Sequence, residues 1–135
     1  MKIFVLDASV ILKWVLGEDE EGQDRAIELL NGWLGQEHEF ILPSLWVYEV
    51  GNVLGLKRSK DAEKILGLLL EYEFKEYRNT NKLVDLTFKL MKEFIGVTFY
   101  DAIYHALALL EKGILVTADK EYFKKAKNMG GIILI

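Results

Sequence analysis

Short apolar runs alternate along this chain with longer stretches of helical periodicity, and that alternation sets the expected architecture before any chemistry is considered. Lys2-Ile3-Phe4-Val5-Leu6 reads as a strand that turns at Asp7 into a short helix over about 9–16. The acidic stretch Gly17-Glu18-Asp19-Glu20-Glu21-Gly22 is expected to be a solvated loop. From Asp24 onward Ile27, Leu30, Trp33 and Leu34 recur at helical spacing, and Gly35 supplies a stop. Phe40-Ile41-Leu42 reads as a second strand. Pro43-Ser44 then opens a helix to about residue 54, with Ser44 as the expected N-cap. Another helix is expected over 60–70, where Asp61 and Glu63 in the first turn suit the helix dipole. Phe74 and Tyr77 fall in a segment short enough to be a third strand.

The second half repeats the theme. Leu83, Leu86, Leu90 and Phe94 give a helical stripe that follows Asn79-Thr80-Asn81 and ends by Gly96. A further helix runs from about residue 100 to 112, with Gly113 as its C-terminal residue, and Ile114-Leu115-Val116-Thr117 is a clear apolar strand. A last helix near 121–128, the pair Gly130-Gly131 and a strand over 132–135 complete the chain. Strands that alternate with helices imply a parallel sheet covered on both faces.

Composition narrows the class. The 135 residues are 51% hydrophobic and 28% charged, which is globular rather than disordered, and the length is that of one domain. No apolar run reaches a membrane span, and the short N-terminal run lacks a cleavage pattern, so a cytoplasmic protein is expected. Cysteine is absent, which excludes disulfides, thiol nucleophiles and cysteine-held zinc. The net charge of −4 argues against a module that holds nucleic acid by coating phosphates with Lys and Arg. A nucleic-acid enzyme whose phosphate is neutralised by cations on carboxylates stays compatible with it. Basic contacts need then be only local, as at Lys57-Arg58-Ser59-Lys60 with Lys64, or Lys120 with Lys124, Lys125 and Lys127.

The chemistry lies in the acids. Asp7 ends an apolar strand, where an ionised group needs hydrogen bonds, solvent or a cation to offset its desolvation. Asp119 follows the strand at 114–117, and in open parallel sheets ligands bind at that carboxyl edge. Glu49 shares a largely apolar helical stripe with Leu45, Trp46 and Val53, and Asp101 begins a helix. Four crowded carboxylates repel unless cations compensate them, and their hard oxygens suit Mg²⁺ or Mn²⁺. Such a site activates water and stabilises charge on a phosphoryl oxygen, which is phosphodiester hydrolysis. Taken singly, Glu49 reads equally as a buried structural acid and Asp119 as an N-cap. His105, one turn after Asp101, reads first as a packed histidine, and Trp14, Trp33 and Trp46 as core aromatics.

Val5-Leu6-Asp7-Ala8-Ser9-Val10, Pro43-Ser44 with Glu49 in the next helix, Tyr100-Asp101-Ala102 and Thr117-Ala118-Asp119 together resemble the PIN-domain nucleases, in order and over the whole chain. The nearest likeness is to the VapC-like toxins of type II toxin–antitoxin pairs. That resemblance implies a single PIN-like domain over 1–135, a three-layer α/β/α sandwich with a mostly parallel sheet of four to five strands. It also implies an Mg²⁺-dependent (or Mn²⁺-dependent) ribonuclease acting on RNA, with a small antitoxin partner and a homodimer as the expected assembly. Asp7, Glu49, Asp101 and Asp119 would bind the metal, and Ser9 and Thr117 would orient carboxylates or water. Glu121 stands close enough to Asp119 to replace or supplement it. The competing expectations are a non-catalytic interaction module with the same fold, with apolar helices such as 66–70 as its interface, and an aspartate-based phosphatase or receiver. The last two expect a second acid near the first, and Ser9 occupies the phosphatase position.

Overall fold

The computed structural model describes residues 1–16 and 21–135. Four of the six residues of the expected acidic loop, 17–20, therefore lie outside the described residues. Element order is β1 (Ile3–Leu6), α1 (Ala8–Val15), α2 (Gln23–Leu34), β2 (Glu39–Pro43), α3 (Leu45–Lys57), α4 (Ala62–Glu71), β3 (Lys75–Tyr77), α5 (Asn81–Glu93), α6 (Phe99–Leu110), β4 (Ile114–Thr117), α7 (Lys120–Ala126) and β5 (Ile132–Leu134). All strand pairs are parallel, and the order across the sheet is β3-β2-β1-β4-β5.

Strand residues alternate between two cores. Val5, Ile41 and Leu115 pack with Leu83, Leu90, Ala102 and Leu107 on the α5–α6 side, joined by Tyr122 of α7. Phe4, Leu6, Phe40, Leu42 and Val116 pack with Val10, Trp46, Leu54 and Leu69 on the side of α1 to α4. The period of two along each strand therefore feeds both faces, as a parallel sheet between helical layers requires. The result is the expected three-layer α/β/α arrangement. On the second side Phe74 is ringed by Trp14, Trp33, Trp46 and Tyr72. Among the described residues no helix is long and apolar enough to cross a membrane.

Three local expectations need correction. Helix α2 turns Ala26, Leu29 and Trp33 inward, whereas Ile27 and Leu34 are exposed at 38% and 52%. Its buried positions include the small residues Ala26 and Gly32, which let the backbone approach and rotate the inward face. Ser44 makes no capping hydrogen bond and already has helical dihedrals, because β2 runs directly into α3. Gly113 does not take the left-handed turn after α6: Lys112 does, at φ 55°. Gly113 is required by space instead, since a Cβ there would lie 2.6 Å from the Ile3 carbonyl oxygen.

Candidate functional site

The strand order locates the site. The chain builds outward from β1 to β2 and β3, then returns to place β4 on the other flank of β1. Where successive strands leave in opposite directions, the connections diverge and open a crevice at the carboxyl ends. Those ends here are Asp7, directly after β1, and Thr117 with Asp119, at and just after the end of β4.

One hydrogen-bonded web ties the two strand ends together. The hydroxyl and the backbone N–H of Ser9 both donate to Asp7 Oδ1, the N–H at 3.1 Å, and the Thr117 hydroxyl donates to Asp7 Oδ2. The Ala118 N–H returns a bond to Ser9 Oγ at 3.0 Å, and the Asp119 N–H bonds Thr117 Oγ1 at 3.0 Å. Asp7 thus caps α1 while its carboxylate is gripped from both sides, a case of charge-assisted bonds orienting an acid. It retains partial exposure. Burial nevertheless pushes its pKa up to about 6, against the opposing bonds from Ser9, Thr117 and the Val10 backbone, with the Asp119 charge adding to the rise.

The other acids sit on two helices and at a helix cap. Glu49, on α3, accepts a 2.7 Å bond from the hydroxyl of Tyr104, a residue of α6 that is 1% exposed. Burial raises the Glu49 pKa, opposed by that bond, and the charge of Asp101 raises it further. Asp101 lies in the first turn of α6, whose N-cap Thr98 accepts from the Asp101 N–H at 3.1 Å. Burial raises its pKa too; the Asp119 charge adds to that, and Thr98 and the charge of Lys125 oppose it. Asp119 caps α7 by accepting from the N–H groups of Glu121 and Tyr122 at 3.0 and 3.1 Å, both at Oδ1. Asp119 is the acid whose charge reaches both Asp7 and Asp101, while Glu121 sits exposed on the first turn of α7.

The acids are linked pairwise: the charge of Asp119 is felt at Asp7 and at Asp101, and the charge of Asp101 at Glu49. Among the described residues, no three Asp, Glu or His side chains are already assembled as a cage around one ion. The donor set still fits a hard divalent cation. Mg²⁺ keeps several waters and takes only one or two carboxylates directly, and uncompensated carboxylates stand apart through repulsion. The partly dehydrated carboxylates of Asp7, Glu49 and Asp101, each held less acidic by burial, are the local field that such a cation would relieve.

Two tyrosines complete the setting and carry no sequence signal of it. Tyr104 lies on the buried face of α6, and its bond to Glu49 spans 55 positions of sequence. Burial drives the hydroxyl pKa of Tyr104 up, with the bond to Glu49 and the charges of Glu49, Asp7 and Asp101 adding to it, so Tyr104 stays a neutral donor. Tyr122 bonds His105 Nδ1 at 2.8 Å, and His105 Nε2 lies 2.8 Å from the Gly130 carbonyl. His105 is wholly buried, its pKa lowered by that burial, and it holds α6, α7 and the turn before β5 together rather than facing the acids.

Comparisons with known proteins bear on the family and the fold. Residues 4–128 match the sequence model described as the PIN domain. No curated protein matches the chain. Among solved structures, a toxin–antitoxin complex from Klebsiella pneumoniae is 17% identical at a TM-score of 0.70, covering 98% of this chain and 96% of that one. VapBC2 from Rickettsia felis, solved bound to a DNA fragment from their promoter, gives 17% and 0.70, with 98% and 97% covered. PAE2754 from Pyrobaculum aerophilum gives 24% and 0.69, with 98% and 88% covered. At such identities the likeness is one of fold.

Proposed function

We propose that this chain, which belongs to the PIN domain family, is a metal-dependent endoribonuclease of the toxin–antitoxin kind, kept inactive by a small protein partner. The observation that carries the reading is that Asp7 and Asp119 follow the neighbouring strands β1 and β4, with the charge of Asp119 felt at Asp7 and Asp101 and that of Asp101 at Glu49. The likeness in fold to chains from toxin–antitoxin complexes supports the partner.

A bound Mg²⁺ or Mn²⁺ would supply water activation and charge stabilisation at the scissile phosphate. The protein's share is orientation. Ser9 and Thr117 fix the two oxygens of Asp7, and Tyr104 fixes Glu49, so neither carboxylate has to be reorganised when substrate arrives. The α7 cap uses one oxygen of Asp119 and leaves Oδ2 outside it. Asp119 rather than Glu121 is the fourth acid in this account. Lys125, whose charge is felt at Asp101, is a basic side chain near the acids that could meet a substrate phosphate.

Incubation of purified protein with single-stranded RNA tests the reading. Cleavage should require Mg²⁺ or Mn²⁺, stop with EDTA and be lost in Asp101→Asn. Cleavage that survives EDTA, or that is equal in wild type and variant, overturns it.

A further inference from the structure

A second feature of the same rim lies one strand away from the acids. At the carboxyl end of β2 a cavity of about 190 Å³ opens between the start of α3 and the start of α6, bordered by Ser44, Tyr48, Asn79, Phe99, Tyr100 and Ile103. β2 is the neighbour of β1 in the sheet, ~4.8 Å away, so this groove lies at the end of the strand next to the one that carries Asp7. Its two tyrosines precede two of the acids in sequence: Tyr48 comes before Glu49, and Tyr100 before Asp101. Successive helical residues point ~100° apart. As each acid turns to the crevice, its neighbouring tyrosine turns to the groove.

These rings are unlike the aromatics of the core. Tyr48 is 73% exposed and Tyr100 58%, and among the described residues neither stacks on another ring, while Trp14, Trp33, Trp46, Phe40 and Phe74 stack with one another in the core. A large exposed apolar surface in a cleft costs solvation unless something covers it. Within a mostly apolar lining, half-buried Ser44 and exposed Asn79 offer a hydroxyl and an amide group. A second hollow shares Ser44 and Asn79 and adds exposed Arg78 along with Glu76 and Tyr77, the Glu76 carboxylate being engaged by the Trp46 N–H at 2.8 Å. Flat aromatic faces, an amide able to pair with a base edge, and an arginine beside them are the parts that hold a single-stranded nucleotide.

We propose that this groove is a nucleobase subsite: one unpaired base of the RNA strand stacks on Tyr48 and Tyr100, its edge meets Asn79 or Ser44, and Arg78 takes the adjoining phosphate. The proposal rests on the nuclease reading above, and it restricts the substrate to RNA that is single-stranded beside the cut. A duplex keeps its bases stacked on each other and presents no face to the tyrosines.

The test is fluorescence anisotropy with a labelled, unstructured oligoribonucleotide and an abasic strand of the same length, both in EDTA. Wild type should bind the base-bearing strand about 10-fold or more tightly than the abasic one, given the usual worth of a base–aromatic stack. Tyr48→Ala and Tyr100→Ala should each erase most of that preference, while Tyr48→Phe and Tyr100→Phe keep it. Both residues are exposed, so melting temperatures should move little. Equal binding of the two strands by wild type, no binding of the base-bearing strand, or an unchanged preference in both alanine variants overturns the subsite. A molecular mass in light scattering that falls with Tyr48→Ala also overturns it, and assigns the groove to contact with a second copy of the chain. EDTA separates the two readings. A protein that cleaves RNA with Mn²⁺ yet shows no base preference keeps the nuclease and loses the subsite. One that shows the preference but never cleaves does the reverse.

Discussion

Replacing Asp7 by asparagine should make the metal-free protein more stable while destroying its proposed function. Burial holds the Asp7 pKa at about 6 in the folded chain against an ordinary 3.8. At ~1.4 kcal/mol for each factor of ten in acidity, that gap sets ~3 kcal/mol against the ionised form. The sign follows from which state holds the proton more tightly. Between pH 3.8 and about 6 the folded state binds it and the unfolded state does not, so the associated stability is full below pH 3.8 and is lost as pH rises to about 6. Asparagine never ionises. It keeps an acceptor for two of the bonds made by Ser9 and Thr117 but turns an amide toward a hydroxyl that now donates, at a cost of ~1 kcal/mol. The net gain at pH 7.5 is ~2 kcal/mol, or ~6–10 °C in melting temperature for a chain of this size. Thermal melts of wild type and Asp7→Asn in EDTA measure it, repeated at pH 4. The variant should melt higher at pH 7.5, and the difference should shrink toward zero at pH 4. Saturating Mg²⁺ or Mn²⁺ should raise the wild type by ~2.7 kcal/mol when the ion is at a hundred times its dissociation constant, and the variant by about half of that or less. A variant that melts at or below wild type at pH 7.5, or a difference that does not depend on pH, refutes the desolvation argument.

Other perturbations probe the supports of the site. Tyr104→Phe removes the donor to Glu49 while preserving the ring, and should weaken Mn²⁺ binding about 10-fold or more with little change in secondary structure by circular dichroism. His105→Leu strands the Tyr122 hydroxyl and the Gly130 carbonyl in the interior; urea denaturation should show a loss of ~2–4 kcal/mol. Gly113→Ala forces a methyl group to within 2.6 Å of the Ile3 carbonyl oxygen, so either β4 or β1 must shift, and a loss of ~1–3 kcal/mol is expected in the same assay.

Much of this was legible in the chain, for identifiable reasons. A carboxylate at the end of Ile3–Leu6 announces itself because an apolar strand tolerates one only with compensation. Parallel pairing follows from strands separated by helices. Strand order does not follow, since nothing in the periodicity of 114–117 says that β4 lies beside β1 rather than beyond β3. The proximity of Asp7 to Asp119 rests on that pairing. Tyr104 was illegible for a related reason: the stripe that buries its ring is visible, but the carboxylate that its hydroxyl meets belongs to another helix. The inward face of α2 was misread because large apolar residues dominate a periodic reading, whereas Ala26 and Gly32 decide the contact by allowing close approach. Tyr48 and Tyr100 give no pattern at all. Their shared groove exists only once α3 and α6 are set side by side at the sheet's carboxyl edge.

The central claim is that the four acids act as one cation site, and Mn²⁺ titration tests it most directly. Binding followed by calorimetry or by the paramagnetic resonance of free Mn²⁺ at pH 7.5 should give a saturable site in wild type. Asp7→Asn and Asp101→Asn should each weaken it about 10-fold or more, and Glu121→Gln should leave it unchanged. Equal affinity in wild type, Asp7→Asn and Asp101→Asn, or no saturable binding by wild type, would contradict the account.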